Sequence, residues 1–310
     1  MARALYGPSG YYTSPRTILG ARGDFTTTPK LTSALAESIA QWILKQWAHF
    51  GKALPVIELG PGDGSLAADI RAALSFFQRR KLRYHLVEIS PHLSERQQER
   101  LGKKAHWHST LIHALEKTGP EALVISNEFF DAFPVRIFRR SADSFEELHL
   151  GEQQDEVWKT TSELPPSTLF SKEWKLNQRF EVAESVHLWI KEELTRLERG
   201  AVLTIDYGGT AEENYHRRPS GTLRAYFHHQ LLYPPEAYQN PSHQDLTFDV
   251  NFEDLIAWGN EIELQASDIL TQSQFCPEAN LGGASEAFKV LEQTKSWGRF
   301  LMLDSRERLK

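Results

Sequence analysis

Cysteine is almost absent from the chain: Cys276 is the single one, which excludes an intramolecular disulfide framework and a cysteine-rich zinc site. It suits a reducing compartment. No apolar run approaches the ~20 residues of a membrane span. Residues 1–12 lack the apolar stretch of a signal peptide. A cytoplasmic protein without membrane insertion is therefore expected. Basic charge is not in excess either, with 35 Lys+Arg against 41 Asp+Glu and a net charge of -6. That is a poor footprint for nucleic-acid binding, so no nucleic-acid partner is expected. Repeats and low-complexity tracts are missing as well. What remains is ordinary globular composition over 310 residues, with 40% apolar and 25% charged residues. Eight Trp and 17 Phe suggest a packed core or aromatic clefts.

The first 30 residues, rich in Gly, Pro, Thr and Tyr, read as loop. A helix is expected over 32–50, because Leu35, Ile39, Trp42, Ile43 and Trp47 fall at helical spacing. Strands and helices then alternate: strand 54–59, helix 65–77, strand 83–88, helix 91–101, a weak strand 105–108, helix 111–117 and strand 122–126. Such alternation predicts a parallel sheet covered on both faces. It breaks over 134–161, where strand-like pieces 135–138, 147–150 and 156–158 follow one another without helices. An antiparallel insertion over 135–184 is expected there. Alternation resumes with helix 185–197, a turn at Gly200 and strand 201–206. A turn-rich segment, 208–251, reads as a functional insertion within the core. Helix 252–260 and strands 262–269 and 287–291 close the domain. The expected organisation is an N-terminal lid and helix (1–50) and a core of 51–134 and 185–310.

The strongest local signal is Glu58-Leu59-Gly60-Pro61-Gly62-Asp63-Gly64, directly after a strand and before a helix. Glycines let the backbone approach a ligand closely, and this turn lies at the carboxyl edge of the sheet, where open α/β folds bind ligands. Ser65 stands where the dinucleotide fingerprint needs its third Gly, which disfavours an NAD oxidoreductase. G-x-G-x-G preceded by an acid is instead the pattern of class I S-adenosylmethionine (SAM) methyltransferases. Glu58, Gly60, Gly62 and Gly64 are cofactor-binding candidates. So is Glu88, which ends the second strand, since a carboxylate can accept from both ribose hydroxyls.

The fourth strand ends in Ser126-Asn127-Glu128-Phe129-Phe130-Asp131-Ala132-Phe133-Pro134. Two carboxylates there face the position of the transferred group. A guanidinium acceptor would need such a carboxylate fork. Glu128 and Asp131 are the catalytic candidates. At least one of Phe129, Phe130 and Phe133 is expected to be core only.

Taken together, these motifs resemble the MidA family of SAM-dependent methyltransferases, which includes a mitochondrial complex I assembly factor. The resemblance rests on Gly10-Tyr11-Tyr12, Gly23-Asp24-Phe25-Thr26-Thr27-Thr28-Pro29, the Glu58–Gly62 turn, Val87–Ser90 and Asn127–Pro134. It continues through Ile205–Gly208, Gly221–Tyr226, Gln244–Thr247 and Phe288–Leu291. It implies a class I methyltransferase fold, a Rossmann-like sheet of seven strands, with insertions and an N-terminal lid over bound SAM. It further implies SAM as cofactor, with Phe25, Thr26 and Asn127 added to the cofactor contacts, and a protein arginine, on a respiratory complex I subunit, as acceptor. Lys30, Ala36, Ser242-His243 and Asn251 depart from the family pattern, the last two in the segment expected to meet the acceptor. A small-molecule methyltransferase and a non-catalytic SAM-binding assembly factor remain the alternatives.

Twelve His residues invite a metal site, but neither the His106/His108 pair nor the His228/His229 pair has ligand spacing on a helix. No metal is expected. Arg79-Arg80-Lys81 reads as a solvated helix end.

Overall fold

Short apolar runs become parallel strands here because helices cover both faces of the sheet. Val56–Leu59 (β1), Tyr84–Val87 (β2), His106–His108 (β3) and Glu121–Asn127 (β4) lie in the order β3-β2-β1-β4, all parallel. Strand Arg199–Gly209 continues the parallel run beside β4. Phe288–Lys295 then pairs antiparallel, and Gln265–Ala266 ends the row. These are the seven expected strands. Two short strands, Val250–Asn251 and Leu270–Thr271, attach outside this order, so the sheet has nine strands among the described residues. The computed structural model describes residues 1–13, 29–227, 230–277 and 286–296.

One face of the sheet packs on helix Pro29–Phe50, which turns Leu35, Ile39, Trp42, Ile43 and Trp47 inward, as their spacing predicts. Helices Ser65–Ala73 and Pro91–Leu101 join that layer. The opposite face packs on helices Leu111–Thr118, Glu184–Glu192 and Phe252–Glu261 through residues such as Ile57, Leu59, Ile190 and Phe252. The two-residue period of β1 sends Val56 to the first layer and Ile57 to the second. Burying each such side chain contributes about 1.5–3 kcal/mol. The chain leaves β1 for β2 and β3 on one side and returns to β4 on the other. A crevice therefore opens at the carboxyl ends of β1 and β4.

The antiparallel insertion is present. Strands Glu156–Thr161, Phe145–Leu150, Arg136–Arg140 and Arg179–Val182 form a four-stranded sheet, the last of them unforeseen. Segment 208–251 supplies a second, three-stranded sheet of Gln230–Leu232, Arg224–Phe227 and Asp245–Thr247. The buried Glu181 ties the two insertions together. Its carboxylate accepts from Thr222 N (2.9 Å), Leu223 N (3.1 Å), Thr222 Oγ1 (2.9 Å) and Tyr215 Oη (3.1 Å).

Four local expectations are corrected. The expected helix 65–77 is two helices, because Ser75 caps a new one, Phe76–Lys81, in a reciprocal capping box with Gln78. Gly200 is not a turn but lies inside strand Arg199–Gly209, where a Cβ would stand 1.8 Å from the carbonyl oxygen of Ala122. The expected strand 262–269 shrinks to Gln265–Ala266, since Glu263 takes a left-handed φ of 67° as the preceding helix ends. The first residues are not all loop: Ala2–Tyr6 is helical and packs Leu5, with Tyr11, against Ala225, Ala237 and Leu246.

Candidate functional site

The glycine turn follows β1 into the crevice. Gly60, Gly62 and Gly64 have φ of 57°, 55° and 77°, a region that favours glycine. A Cβ on Gly60 would sit 2.8 Å from Phe129 Cδ2, so the turn and the loop after β4 are in direct contact. Glu88 follows β2. One of its oxygens accepts from Ser90 N at 2.8 Å and the other from Gln97 Nε2 at 3.1 Å. A carboxylate has about four lone-pair sites, so acceptor capacity remains for two hydroxyls. Burial raises its pKa, against the lowering effect of those bonds.

Gln97 was not foreseen as a site residue. It is fully buried and its amide also donates to the carbonyl of Gly62 at 2.7 Å, while Trp107 Nε1 donates to its Oε1 at 3.0 Å. It thereby fixes the glycine turn against Glu88. Its only trace in the sequence is a polar residue on the inward stripe of helix Pro91–Leu101, beside Leu93 and Leu101.

Glu58 lies one residue before the end of β1 and is buried, with Tyr84 Oη donating to it at 2.8 Å. Burial pushes its carboxyl up to about 7. Asn127 ends β4. Its Oδ1, like the hydroxyl of neighbouring Ser126, is buried without a hydrogen-bond partner among the described residues. Unpaired buried polar atoms are costly. Phe25 and Thr26 lie outside the described residues.

Glu128 occupies a backbone position that a glutamate rarely takes, with φ of 51°. Its amide donates to the carbonyl of Ile205 at 2.9 Å, which holds the loop after β4 against strand Arg199–Gly209. Strain of this kind costs on the order of 1–3 kcal/mol and clusters at functional sites. Its Oε1 accepts a long bond from Asn127 Nδ2 at 3.4 Å. Burial, then the charges of Asp131 and Asp245, push its carboxyl up to about 7 against the Asn127 bond.

Asp131 is brought near Glu128, but it is more occupied. Its Oδ2 accepts from Thr247 Oγ1 at 2.7 Å and its carbonyl from Phe248 N at 3.3 Å. It anchors the three-stranded sheet to the loop after β4. Burial raises its pKa. The buried Asp206, whose role the sequence left open, completes the frame by accepting from Phe129 N (3.2 Å), Phe130 N (2.9 Å) and Tyr207 N (2.9 Å). Burial, followed by the charge of Asp131, raises its pKa well above the usual range. Phe130 is buried and Phe129 and Phe133 are half-buried, all three packed around Trp189.

The N-terminal residues close over this group. Tyr6 Oη donates to the carbonyl of Ala132 at 2.9 Å, and Tyr12 Oη to Asp245 at 2.8 Å. Burial, then the charges of Asp245, Asp131 and Glu88, raise the Tyr6 phenol. Asn251 caps helix Phe252–Glu261, accepting from Glu253 N at 3.3 Å. Asn and Asp cap equally well, but only the amide of Asn251 can also donate to Thr168 Oγ1, as it does at 3.0 Å. No cluster of metal-ligating side chains is found among the described residues.

Residues 38–270 match the family described as "Putative S-adenosyl-L-methionine-dependent methyltransferase". The Drosophila melanogaster protein named protein arginine methyltransferase NDUFAF7 homolog, mitochondrial, is 29% identical over 294 residues, covering 82% of this chain. The Danio rerio protein of the corresponding name is 29% identical over 290 residues, covering 81%. The chain spans 64% and 65% of the length of these two relatives. A crystal structure of a COG1565 superfamily member from Burkholderia thailandensis, bound to S-adenosyl-homocysteine, superposes with a TM-score of 0.78 at 25% identity. The match covers 95% of this chain and 86% of that one. The glycine turn, the acceptor capacity of Glu88 and the unpartnered Asn127 Oδ1 fit S-adenosylmethionine as cofactor. With more than half of its length in that match and the sheet order of the class I methyltransferase fold, the chain belongs to this family, the MidA-type methyltransferases that use S-adenosyl-L-methionine.

Proposed function

We propose that the protein transfers a methyl group from SAM to a nitrogen of a cationic acceptor, a protein arginine foremost. The observation that supports this reading most is the surplus of acid after β4. Burial, then the charges of Asp131 and Asp245, raise the pKa of Glu128, and burial, then Asp131 and Glu128, that of Asp206. The buried cation nearby, Arg224, is paired with Asp249 at 2.6 Å and lowers Asp131 only against the stronger effect of its burial. Such a group is costly until a cation arrives to balance it. A guanidinium suits it, because it pairs with carboxylates through directed N–H donors and stays charged.

In this reading Gly60, Gly62, Gly64, Glu88 and Asn127 hold the cofactor, with Gln97 keeping the turn and Glu88 in place. When bound, SAM supplies an electrophilic methyl group on a sulfonium. Glu128 accepts N–H bonds from the acceptor and aims the attacking nitrogen. Methylation of a guanidinium releases one proton, and a carboxyl near pH 7 is suited to take it. Asp131 and Asp206 hold the loop that presents Glu128. The described N-terminal residues 1–13 cover the acids after β4 and segment 208–251 forms the acceptor wall, with Tyr6, Tyr12 and Asp245 between them. Catalysis rests on positioning and field more than on covalent chemistry.

Incubation with methyl-labelled SAM and host lysate, followed by separation of protein from small molecules and hydrolysis of labelled protein, tests the assignment. Label recovered as methylarginine supports it, and a respiratory complex I subunit is the first acceptor to try. Label confined to small molecules would establish the small-molecule alternative, and absence of transfer despite SAM binding would establish the non-catalytic one.

A further inference from the structure

Helix Phe76–Lys81 buries none of its residues. Six residues have no helical stability of their own in water, and the capping box of Ser75 and Gln78 holds this turn in place. It displays two large aromatic side chains: Phe76 is 60% exposed and Phe77 77%, with ring centroids 5.6 Å apart. Its last turn carries Arg79, Arg80 and Lys81, all exposed, with the Arg80 guanidinium 5.8 Å from the Phe76 ring centroid.

Connectivity puts this helix at the amino edge of the sheet, between the end of helix Ser65–Ala73 and the start of β2. The next connection at that edge, from helix Pro91–Leu101 to β3, carries the exposed Lys103 and Lys104, and Arg83 stands between the two. β1, β2 and β3 are neighbours, so the connections are too. None of these six cations is in an ion pair among the described residues. A cleft of about 870 Å³ beside them, lined by Arg83, Lys103 and Trp107 among others, has no carboxylate in its wall.

We propose that this amino edge is a peripheral docking face for an anionic lipid bilayer. Phe76 and Phe77 enter the boundary between headgroups and acyl chains, and the six cations meet the lipid phosphates. The charge complementarity is local, in a chain whose net charge of -6 would otherwise repel such a surface. The adjacent phenyl rings decide between lipid and other polyanions. They stand out from the surface, where a bilayer can bury them and a free phosphate cannot. Docking by this edge leaves the carboxyl edge, with Glu128, facing water. No helix among the described residues is long and apolar enough to cross a membrane, so the contact is superficial.

Co-sedimentation of the full chain with vesicles of phosphatidylcholine, with and without phosphatidylglycerol, tests the proposal. The protein should bind the anionic vesicles at low salt and leave them at high salt. Phe76→Ser/Phe77→Ser should cut the partition coefficient by about tenfold or more per ring, and Arg79→Glu by at least about fivefold. SAM affinity and melting temperature, measured on the same variants, should match wild type, because these side chains are exposed and remote from the crevice. Failure of the wild-type protein to bind anionic vesicles at low salt would overturn the proposal. So would undiminished binding by the double Phe variant, or tight RNA binding that this variant retains.

Discussion

Glu128→Gln should make the protein more stable, and only above a certain pH. In the folded chain burial and the neighbouring acids push the Glu128 carboxyl up to about 7, from an ordinary value of 4.5. A group whose pKa is raised by folding contributes stability that is fully present below the unfolded value. That contribution is lost as pH rises through the folded value. Wild type should therefore lose stability between about pH 4.5 and pH 7, as the buried charge forms without a partner cation. The amide never acquires that charge, and it tolerates the same backbone angle no worse. The gain from Glu128→Gln should be near zero at pH 4 and reach on the order of 2–3 kcal/mol above pH 7.5. Calorimetric melting of both proteins across this range reads it as a rise of several degrees at the alkaline end. A difference that does not vary with pH, or a variant that melts lower at pH 8, would refute the reasoning. It would mean that Glu128 is held as a paired, ionised structural residue.

Gly60→Ala should cost about 1–3 kcal/mol of stability and abolish SAM binding, because the new Cβ meets Phe129 at 2.8 Å and the φ is 57°; calorimetric titration with SAM checks this. Gln97→Leu should weaken SAM binding by about tenfold or more, since it frees both the Gly62 carbonyl and Glu88, whereas Lys103→Ala should leave it unchanged. Asn251→Ala should destabilise the fold by about 1 kcal/mol or more through loss of the helix cap. Asn251→Asp should keep the cap but still destabilise by about 1 kcal/mol, because it loses the bond that Nδ2 donates to Thr168 Oγ1 and places a second carboxylate beside buried Asp254, as urea unfolding would show.

Much of the site is legible in the sequence because it is local. The glycine turn, Glu88 and the acids after β4 each end a strand whose apolar run is plain, and strand ends in a parallel sheet share one edge. The five apolar residues of helix Pro29–Phe50 announce their buried face by spacing alone. What escapes reading is what depends on distant partners. Gln97 looks like any polar helix residue until its contacts with Gly62 and Glu88 are seen. Asp206 looks like a strand-end acid until it is found holding the amides of Phe129 and Phe130 from the neighbouring strand. Strand Arg179–Val182 is too short to show a period, and its pairing with Arg136–Arg140 spans a long insertion. The break at Ser75 was readable from its capping pair with Gln78, and was masked by the apolar residues that continue the helical pattern into Phe76 and Phe77.

Single-turnover methyl transfer by Glu128→Gln, measured beside a SAM titration of the same variant, tests the central claim most directly. Loss of a charge-assisted hydrogen bond costs about 1.5–3 kcal/mol, so transfer should slow by at least about tenfold while SAM affinity barely changes. Transfer at the wild-type rate would leave Glu128 a structural residue and contradict the account, and loss of SAM binding in a folded variant would move it to the cofactor site.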